Sequence, residues 1–379
     1  MRLFFLKNLW VIFLLCFSLS GIAQDDLDLN KFIQPIDSSQ IFITNDYYTW
    51  CNSAIKGKDG KYHLFYARWP HGKRALDDDS MNYIFDGFKG WLKYSEIAYA
   101  VSDHLYGPYK HVKTIIKGNG DSTRWDRYTM HNPQIRQFKG KYYLYYISNA
   151  FDPNYTLKNA QPDWLHWLKY NCTQKIGVLV ANSIQELVDG HFKRIETPLM
   201  EVDNTRTFEV TTNPSVCEGP DGKYYMIFKS RKPNVGNMTH WIATSNKPDE
   251  PFQIQGEVFT SAEMACEDPC LWYDKKRKRF YAVVKYFSRA QKLVTQFGAL
   301  ALITSKDGLH WDAASHPLVS MRKLTFKSGK TIELANLERP FVVTDKKGQA
   351  IALFAAAAQQ APNKGEGTNT FAVSISLKK

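Results

Sequence analysis

The feature that most limits what this chain can fold into is a motif that occurs five times. Its clearest copy, residues 130–149 (MHNPQIRQFKGKYYLYYISN), runs from a polar opening through a short strand and a tight Lys-Gly turn into a second strand of alternating aromatics. Residues 50–68, 212–231, 267–286 and 338–355 repeat that order. Aligned on their openings, the copies make Asn52, Asn132, Asn213, Asp268 and Arg339 equivalent, at spacings of 80, 81, 55 and 71 residues. A third strand follows each copy, at 96–103, 175–183, 241–245, 299–305 and 371–377. Four of these lead through a turn, such as Gly107-Pro108-Tyr109 or Asp307-Gly308, into an outer strand.

A repeated unit of short strands cannot bury its faces alone and stacks against its sisters. Here that predicts an all-β fold, a five-bladed β-propeller. A seven-strand sandwich does not account for five copies of two different strands. The fifth copy reaches the C-terminus without an outer strand, so the early stretch Ile41-Phe42-Ile43-Thr44 is expected to complete that blade. No helical period of any length is present, apart from a turn or two in residues 77–88. The layout expected is residues 1–23 as a signal peptide, 24–44 as a leader and 45–379 as one propeller domain. The first two spacings are filled by loops at 69–94 and 150–174.

Arg2 and Lys7, the apolar run 9–19 and the small residues Gly21-Ile22-Ala23 read as a secretory signal, which predicts export to the periplasm or beyond the cell. The run is too short for a membrane span, so no stable membrane insertion is expected. A lipid anchor at Cys16 is disfavoured by Leu14-Leu15 in front of it. The chain carries 49 basic and 37 acidic residues, and losing Arg2 and Lys7 leaves a net charge of about +10. That balance favours anionic partners. Nucleic acid is the weaker choice for an exported chain without an Arg/Lys-rich helix; an anionic or sulfated polysaccharide suits both charge and export. A basic surface kept for solubility is the plain alternative.

Cys51, Cys172, Cys217, Cys266 and Cys270 lack the density of a disulfide scaffold. Cys266-x-x-x-Cys270 has no second Cys/His pair, so strand cysteines are expected rather than a metal site. No metal ligand set or cofactor is called for; a structural cation on the axis is compatible with such a fold but is not predicted. Asn171-Cys-Thr and Asn237-Met-Thr match the glycosylation pattern.

In a propeller, the starts of inner strands, the ends of second strands and the starts of third strands share one mouth. Here that collects Trp50, Cys51, Asn52, Arg68, Trp69, His71, Trp91, Glu96, Asp126, His131, Asn132, Asn213, Lys229, Arg231, His240, Glu267, Asp268, Lys285, Glu338 and Arg339. Convergent polar groups in a concavity are the default site.

The openings HNPQI, TNPSV, EDPCL and ERPFV, each followed by the turn and aromatic strand, make the chain resemble the five-bladed glycosidases of glycoside hydrolase family 43 and its relatives, including family 117. The resemblance covers essentially all of the chain after the signal and implies a catalytic propeller acting on an oligosaccharide or polysaccharide. It also implies a carboxylate base, a modulating Asp and a Glu acid on the first three inner strands, where this chain has Asn52, Asn132 and Asn213. Glu218-Gly219-Pro220 imitates the acid's surroundings but stands too close to Tyr224, in the far-side turn. The acid–base candidates are therefore Asp268 and Glu338, with Glu96 and Glu267 beside them. Family 117, where a histidine is implicated in acid catalysis, brings forward His131 and His240. The expected substrate contacts are Asn52, Arg68, Trp69, Asp126, Asn132, Asn213, Lys229, Arg231, His240 and Arg339, with Trp50, Trp91 and Trp125 as further stacking candidates. Each has a plain alternative: an Asx-type bond for Asp268, an ion pair to Arg339 or Lys285 for Glu338, a strand cap for Glu96. Phosphorolysis and non-catalytic glycan binding are the rival functions.

Overall fold

The structure, a computed structural model, describes residues 27–71, 89–150, 171–233, 238–360 and 367–378. The signal segment, the turns expected at 77–88 and Asn237 lie outside them. Five antiparallel sheets form five blades around an axis. Blade 1 comprises Tyr47–Lys56, Tyr62–Pro70, Glu96–Ser102 and Lys110–Ile116. Blade 2 comprises His131–Phe138, Lys141–Ser148, Lys175–Ala181 and Lys193–Arg194. Blade 3 is Phe208–Glu218, Tyr224–Arg231, Thr239–Ser245 and Gln253–Glu257. Blade 4 is Cys266–Asp274, Arg279–Tyr286, Leu300–Ser305 and Trp311–Ser320. The expected third strands and tight turns fall where the repeat put them.

Blade 5 is closed by the chain's two ends. Its inner, second and third strands are Thr331–Thr344, Ala350–Gln360 and Gly367–Ser376, and Ile41–Phe42 adds the outer one, with Ile41 opposite Val373 and Phe42 opposite Ala372. A short strand, Lys323–Thr325, pairs with the mouth-side start of the inner strand. Leu27, Leu29 and Ile36 are buried against the body, so the leader is part of the core.

The strands alternate because one face of each blade packs on the next. Tyr66, Tyr145, Phe228 and Tyr281 from four second strands are fully buried. Blade 5 has Ala355, Ala356, Ala357 and Ala358 in its second strand, all inaccessible. Two short α-helices among the described residues escaped the sequence reading: Lys89–Tyr94, inside the stretch expected to be a loop, and Ile184–Asp189, started by the Ser183 hydroxyl accepting from the Glu186 N–H at 3.0 Å and stopped by Gly190 in the left-handed region.

Candidate active site at the propeller axis

Each inner strand carries one extra residue near its start. Pairing runs Trp50–Ala67 to Ser53–Phe65, His131–Ile147 to Gln134–Tyr145, Thr212–Lys229 to Ser215–Ile227, Glu267–Lys285 to Cys270–Val283 and Glu338–Ala356 to Phe341–Phe354. Three steps on one strand thus match two on the other, a β-bulge. The residue at the bulge has a left-handed φ every time: Cys51 46°, Asn132 51°, Asn213 56°, Asp268 59° and Arg339 51°. This corrects the alignment of blade 1 by one residue. Cys51, not Asn52, is the equivalent of Asn132, and Asn52 takes the place of Pro133, Pro214, Pro269 and Pro340.

The five bulge side chains bond to one another around the axis. The Cys51 thiol donates to Asn132 Oδ1 at 2.6 Å, the Asn132 amide to Asn213 Oδ1 at 2.5 Å, and the Asn213 amide to Asp268 Oδ1 at 2.8 Å. Arg339 ends this chain of contacts on Asp268, with NH1 2.5 Å from Oδ1, so among the described residues the ring is bonded at four of its five seams and open between Arg339 and Cys51. The Asp268 carboxylate is wholly buried (side chain 0% exposed). Burial pushes it up, to about 6, while Arg339 pulls it back. Arg339 is raised further by its facing carboxylates, and burial drives the Cys51 thiol far above its usual range.

Below the ring, a second layer joins blade to blade. Ser53 Oγ accepts from the Ile135 N–H, Gln134 Oε1 from Val216, Ser215 Oγ from Leu271 and Cys270 Sγ from Val342. Phe341 holds the fifth place and has no acceptor to offer. Between the layers lies an axial cavity of about 40 Å3, lined by the ring residues, the prolines and Asn52. That is room for a few waters, not for a sugar. The Asn52 amide faces no hydrogen-bond partner among the described residues. No group of three or more metal-ligating side chains occurs among the described residues.

Above the ring, on the mouth side, the residues preceding the bulge are Trp50, His131, Thr212, Glu267 and Glu338. Glu267 accepts from Lys229 of blade 3 at 2.6 Å and from Lys285 at 2.6 Å, and Lys285 also bonds Glu338 of blade 5. The Asn336 amide donates to the same Glu338 oxygen at 2.9 Å. Burial alone would raise Glu267, but Lys229 and Lys285 outweigh it and hold the carboxyl far below the usual carboxylate range. Glu338 is the more open of the two, with its side chain 12% exposed. His240, opposite Lys229 on the third strand of blade 3, is fully buried, and neither ring nitrogen meets a partner among the described residues. Burial, with Lys229 nearby and Glu267 opposing, brings it down to about 3, so it is neutral.

His131 occupies the other side of the mouth. Its Nδ1 lies 2.6 Å from Ser95 Oγ and its Nε2 3.6 Å from Cys51 Sγ. Trp91 stacks on the imidazole at 4.7 Å and Trp69 meets it edge-on at 5.6 Å. Burial, then Arg339, holds it well below the ordinary histidine value.

Four expected site residues stand apart from this group. Arg68 and Glu96 pair at 2.8 Å between the second and third strands of blade 1, with Thr114 of the outer strand donating to Glu96 at 2.7 Å. Glu96 is thus tied toward the blade's outer edge, two strands from the axis. Asp126 is buried under Arg124, Arg194 and the Tyr146 hydroxyl at 2.8, 2.7 and 2.5 Å, which keep it below its ordinary value despite burial. Arg231 pairs at 2.9 Å with Glu209, a buried carboxylate at φ 66° that the sequence reading missed. Its signal was the extension Phe208-Glu209-Val210-Thr211 in front of the blade-3 opening. Glu218 sits at the far end of its hairpin opposite Tyr224, as the register required. Asn171 is buried and donates to Glu209 at 3.1 Å, which withdraws it as a glycosylation site. Cys266 and Cys270 are unbridged strand residues. No helix among the described residues is long and apolar enough to cross a membrane.

Fold and site together define a five-bladed β-propeller with a compensated cluster of carboxylates and ammoniums at one end of its axis. The chain matches no protein-family model and no curated protein. Among solved structures it is similar to a family 117 glycoside hydrolase of the marine bacterium Zobellia galactanivorans, at 16% identity over 91% of this chain and 90% of that one, TM-score 0.59. It is also similar to a protein of unknown function from Dyadobacter fermentans (13% identity, 92% and 100% covered, TM-score 0.57). An α-L-arabinofuranosidase from Lactobacillus brevis follows the same course (13%, 92% and 94%, TM-score 0.53). At such identities the likeness establishes the fold and its five blades.

Proposed function

We propose that the chain is an exported glycoside hydrolase acting on oligosaccharides from a plant or algal, anionic or sulfated polysaccharide. The observation that carries this reading is the convergence of Glu267, Glu338 and Asp268 at one end of the axis in three different environments. Glycoside cleavage needs one group to protonate the leaving oxygen and another to activate water or meet the sugar. Glu267, pinned between two ammoniums, is the permanently ionised partner. Glu338, at 12% exposed the least buried of the three side chains, is the group assigned to meet substrate, and Asp268, raised by burial, is the carboxyl that takes up a proton near neutrality. His240, neutral and fully buried behind Lys229 and Glu267, is assigned no substrate contact. The chain's action is exo, favoured by the long loops 69–94 and 150–174, which are expected to narrow one end of the mouth, and its export is favoured by residues 1–23.

A non-catalytic glycan-binding propeller is the second reading. It is favoured by the pairing of each axial carboxylate with a cation and by Asn132 and Asn213 in the ring. Purified protein and its Glu338→Gln form, assayed on plant and algal oligosaccharides, separate the two. Hydrolysis that falls a hundredfold or more in Glu338→Gln, with binding kept, is the expected result. Full turnover in that variant would overturn the assignment, and binding without cleavage by the parent protein would favour the second reading. A requirement for phosphate would move the reaction to phosphorolysis.

A further inference from the structure

Beside the axial cluster, the connection between the second and third strands of blade 4 carries an aromatic surface that the acid–base reading leaves without a role. Phe287 is 36% exposed, one of the few large apolar side chains open to solvent among the described residues. Its ring centre lies 5.3 Å from Lys285 Nζ and 5.9 Å from Lys229 Nζ, the two ammoniums that hold Glu267. Phe297 packs against it at 5.4 Å, and the Arg289 guanidinium lies 5.1 Å over the Phe297 ring. Arg289 is exposed and has no ion pair among the described residues, unlike Lys229, Lys285 and Arg339.

The surface is held rigid from below. Leu293 and Val294 are buried in the blade-4 core, and the Phe287 N–H donates to the Ala265 carbonyl at 2.9 Å. The Gly298 N–H donates to Tyr286 O at 2.9 Å, and the Tyr286 hydroxyl accepts from the Lys292 N–H at 3.0 Å while donating to Glu263 O at 2.7 Å. Gly298, at φ 79°, lets Arg322 lie close above it. A surface preorganised in this way loses little entropy when a ligand settles on it.

We propose that Phe287, Phe297 and Arg289 form a substrate subsite that takes a sugar ring bearing an anionic substituent, adjacent to the Glu267–Glu338 pair. This rests on the glycosidase reading and deepens it. The C–H face of a sugar is apolar and slightly positive, which suits an exposed aromatic ring. A planar guanidinium with no counter-charge suits a carboxylate or sulfate bidentately. The ammoniums at the cluster are already neutralised, so Arg289 is the group that discriminates charge.

The test uses the full chain with Glu338→Gln to prevent turnover, titrated calorimetrically with three probes: oligogalacturonate, a sulfated galactan oligosaccharide and neutral xylo-oligosaccharide. Phe287→Ala is expected to weaken whichever probes bind by about tenfold. Arg289→Gln is expected to weaken acidic probes alone, and the arm that responds tells carboxylate from sulfate. Arg289 is exposed, so that variant folds even if Phe287→Ala does not. Unchanged binding in both variants, while the wild-type protein still hydrolyses sugar, overturns the subsite and leaves the glycosidase standing. Equal loss for neutral and acidic probes in Arg289→Gln overturns the charge reading. No binding of any probe and no hydrolysis overturns both.

Discussion

Arg339 pairs with Asp268 across two neighbouring blades, guanidinium to carboxylate at 2.5 Å, and its own peptide N–H reaches the second oxygen at 3.3 Å. The carboxylate is wholly buried and the guanidinium largely so, and each is the nearest opposite charge to the other. A buried pair of this kind adds little net stability over an apolar pair, but removing one partner strands the other. Asp268→Asn should therefore destabilise by about 3–5 kcal/mol in chemical denaturation. The double variant Asp268→Asn/Arg339→Met should recover most of that loss. A loss below about 1 kcal/mol for the single substitution would mean that Asp268 and Arg339 do not pair as described.

The layer under the ring predicts an order among small substitutions. Ser215 serves two blades at once, accepting from the Leu271 N–H at 2.7 Å and from Gln134 Nε2 at 2.9 Å. Ser53 serves one, the Ile135 N–H at 3.1 Å. An unpaired buried donor costs about 1–3 kcal/mol, so Ser215→Ala should lower the unfolding free energy more than Ser53→Ala. Equal losses would mean the bonds are not what joins the blades. The seam from blade 5 to blade 1 has Phe341 in this layer and no such bond. Amide exchange should accordingly be fastest at Ala54 and its neighbours among the inner strands.

Stability should fall on mild acidification. His131 and His240 are held neutral by burial, His240 down to about 3. Unfolding lets both protonate from about pH 6.5 downward. Asp268 acts oppositely, since burial raises it to about 6 and the native state holds a proton that the unfolded chain releases above about 3.9. Between about pH 4.5 and 6 these three groups together gain two protons on unfolding and lose one, a contribution that lowers stability by about 1.4 kcal/mol per unit of falling pH. His240→Asn should flatten that slope, and Asp268→Asn should roughly double it. Denaturant titrations at several pH values check this; stability that rises toward acid would contradict it.

The blades were legible because their signals are local. A Gly-containing turn between a polar opening and an alternating aromatic strand is visible in any one copy, and five copies multiply it. The register of blade 1 was less legible, since Cys51-Asn52 lacks the proline that marks the bulge elsewhere. The ring was not legible at all. Its bonds join residues that are neighbours only once the blades stand in a circle, and nothing in the string Asn213-Pro214 says that its amide will meet Asp268. For the same reason Glu96 seemed a member of the mouth, because strand polarity gives height along the axis but not distance from it. The helix at Ile184–Asp189 had a readable Ser-x-x-Glu start, but six residues are too few to show a period.

Closure of blade 5 by the leader carries the last expectation. Ile41–Phe42 covers the edge of the strand Gly367–Ser376, and the Gln40 amide donates to Ser374 O at 2.7 Å. Asn30 donates to Val319 O at 2.9 Å on blade 4, so the leader ties two blades together. Leu27, Leu29, Ile36 and Phe42 are buried, Phe42 with its ring edge-on to Tyr66 at 5.0 Å. At about 1.5–3 kcal/mol per buried apolar side chain, losing all four removes roughly 6–12 kcal/mol, as much as a whole domain's stability. It also bares a β-edge ready to pair with another chain. A protein starting at Asn45 should therefore be insoluble or lack a cooperative transition. Phe42→Ala alone should keep the fold and lose about 3–5 kcal/mol. A soluble, cooperatively melting truncation would show that blade 5 holds its circle without the leader.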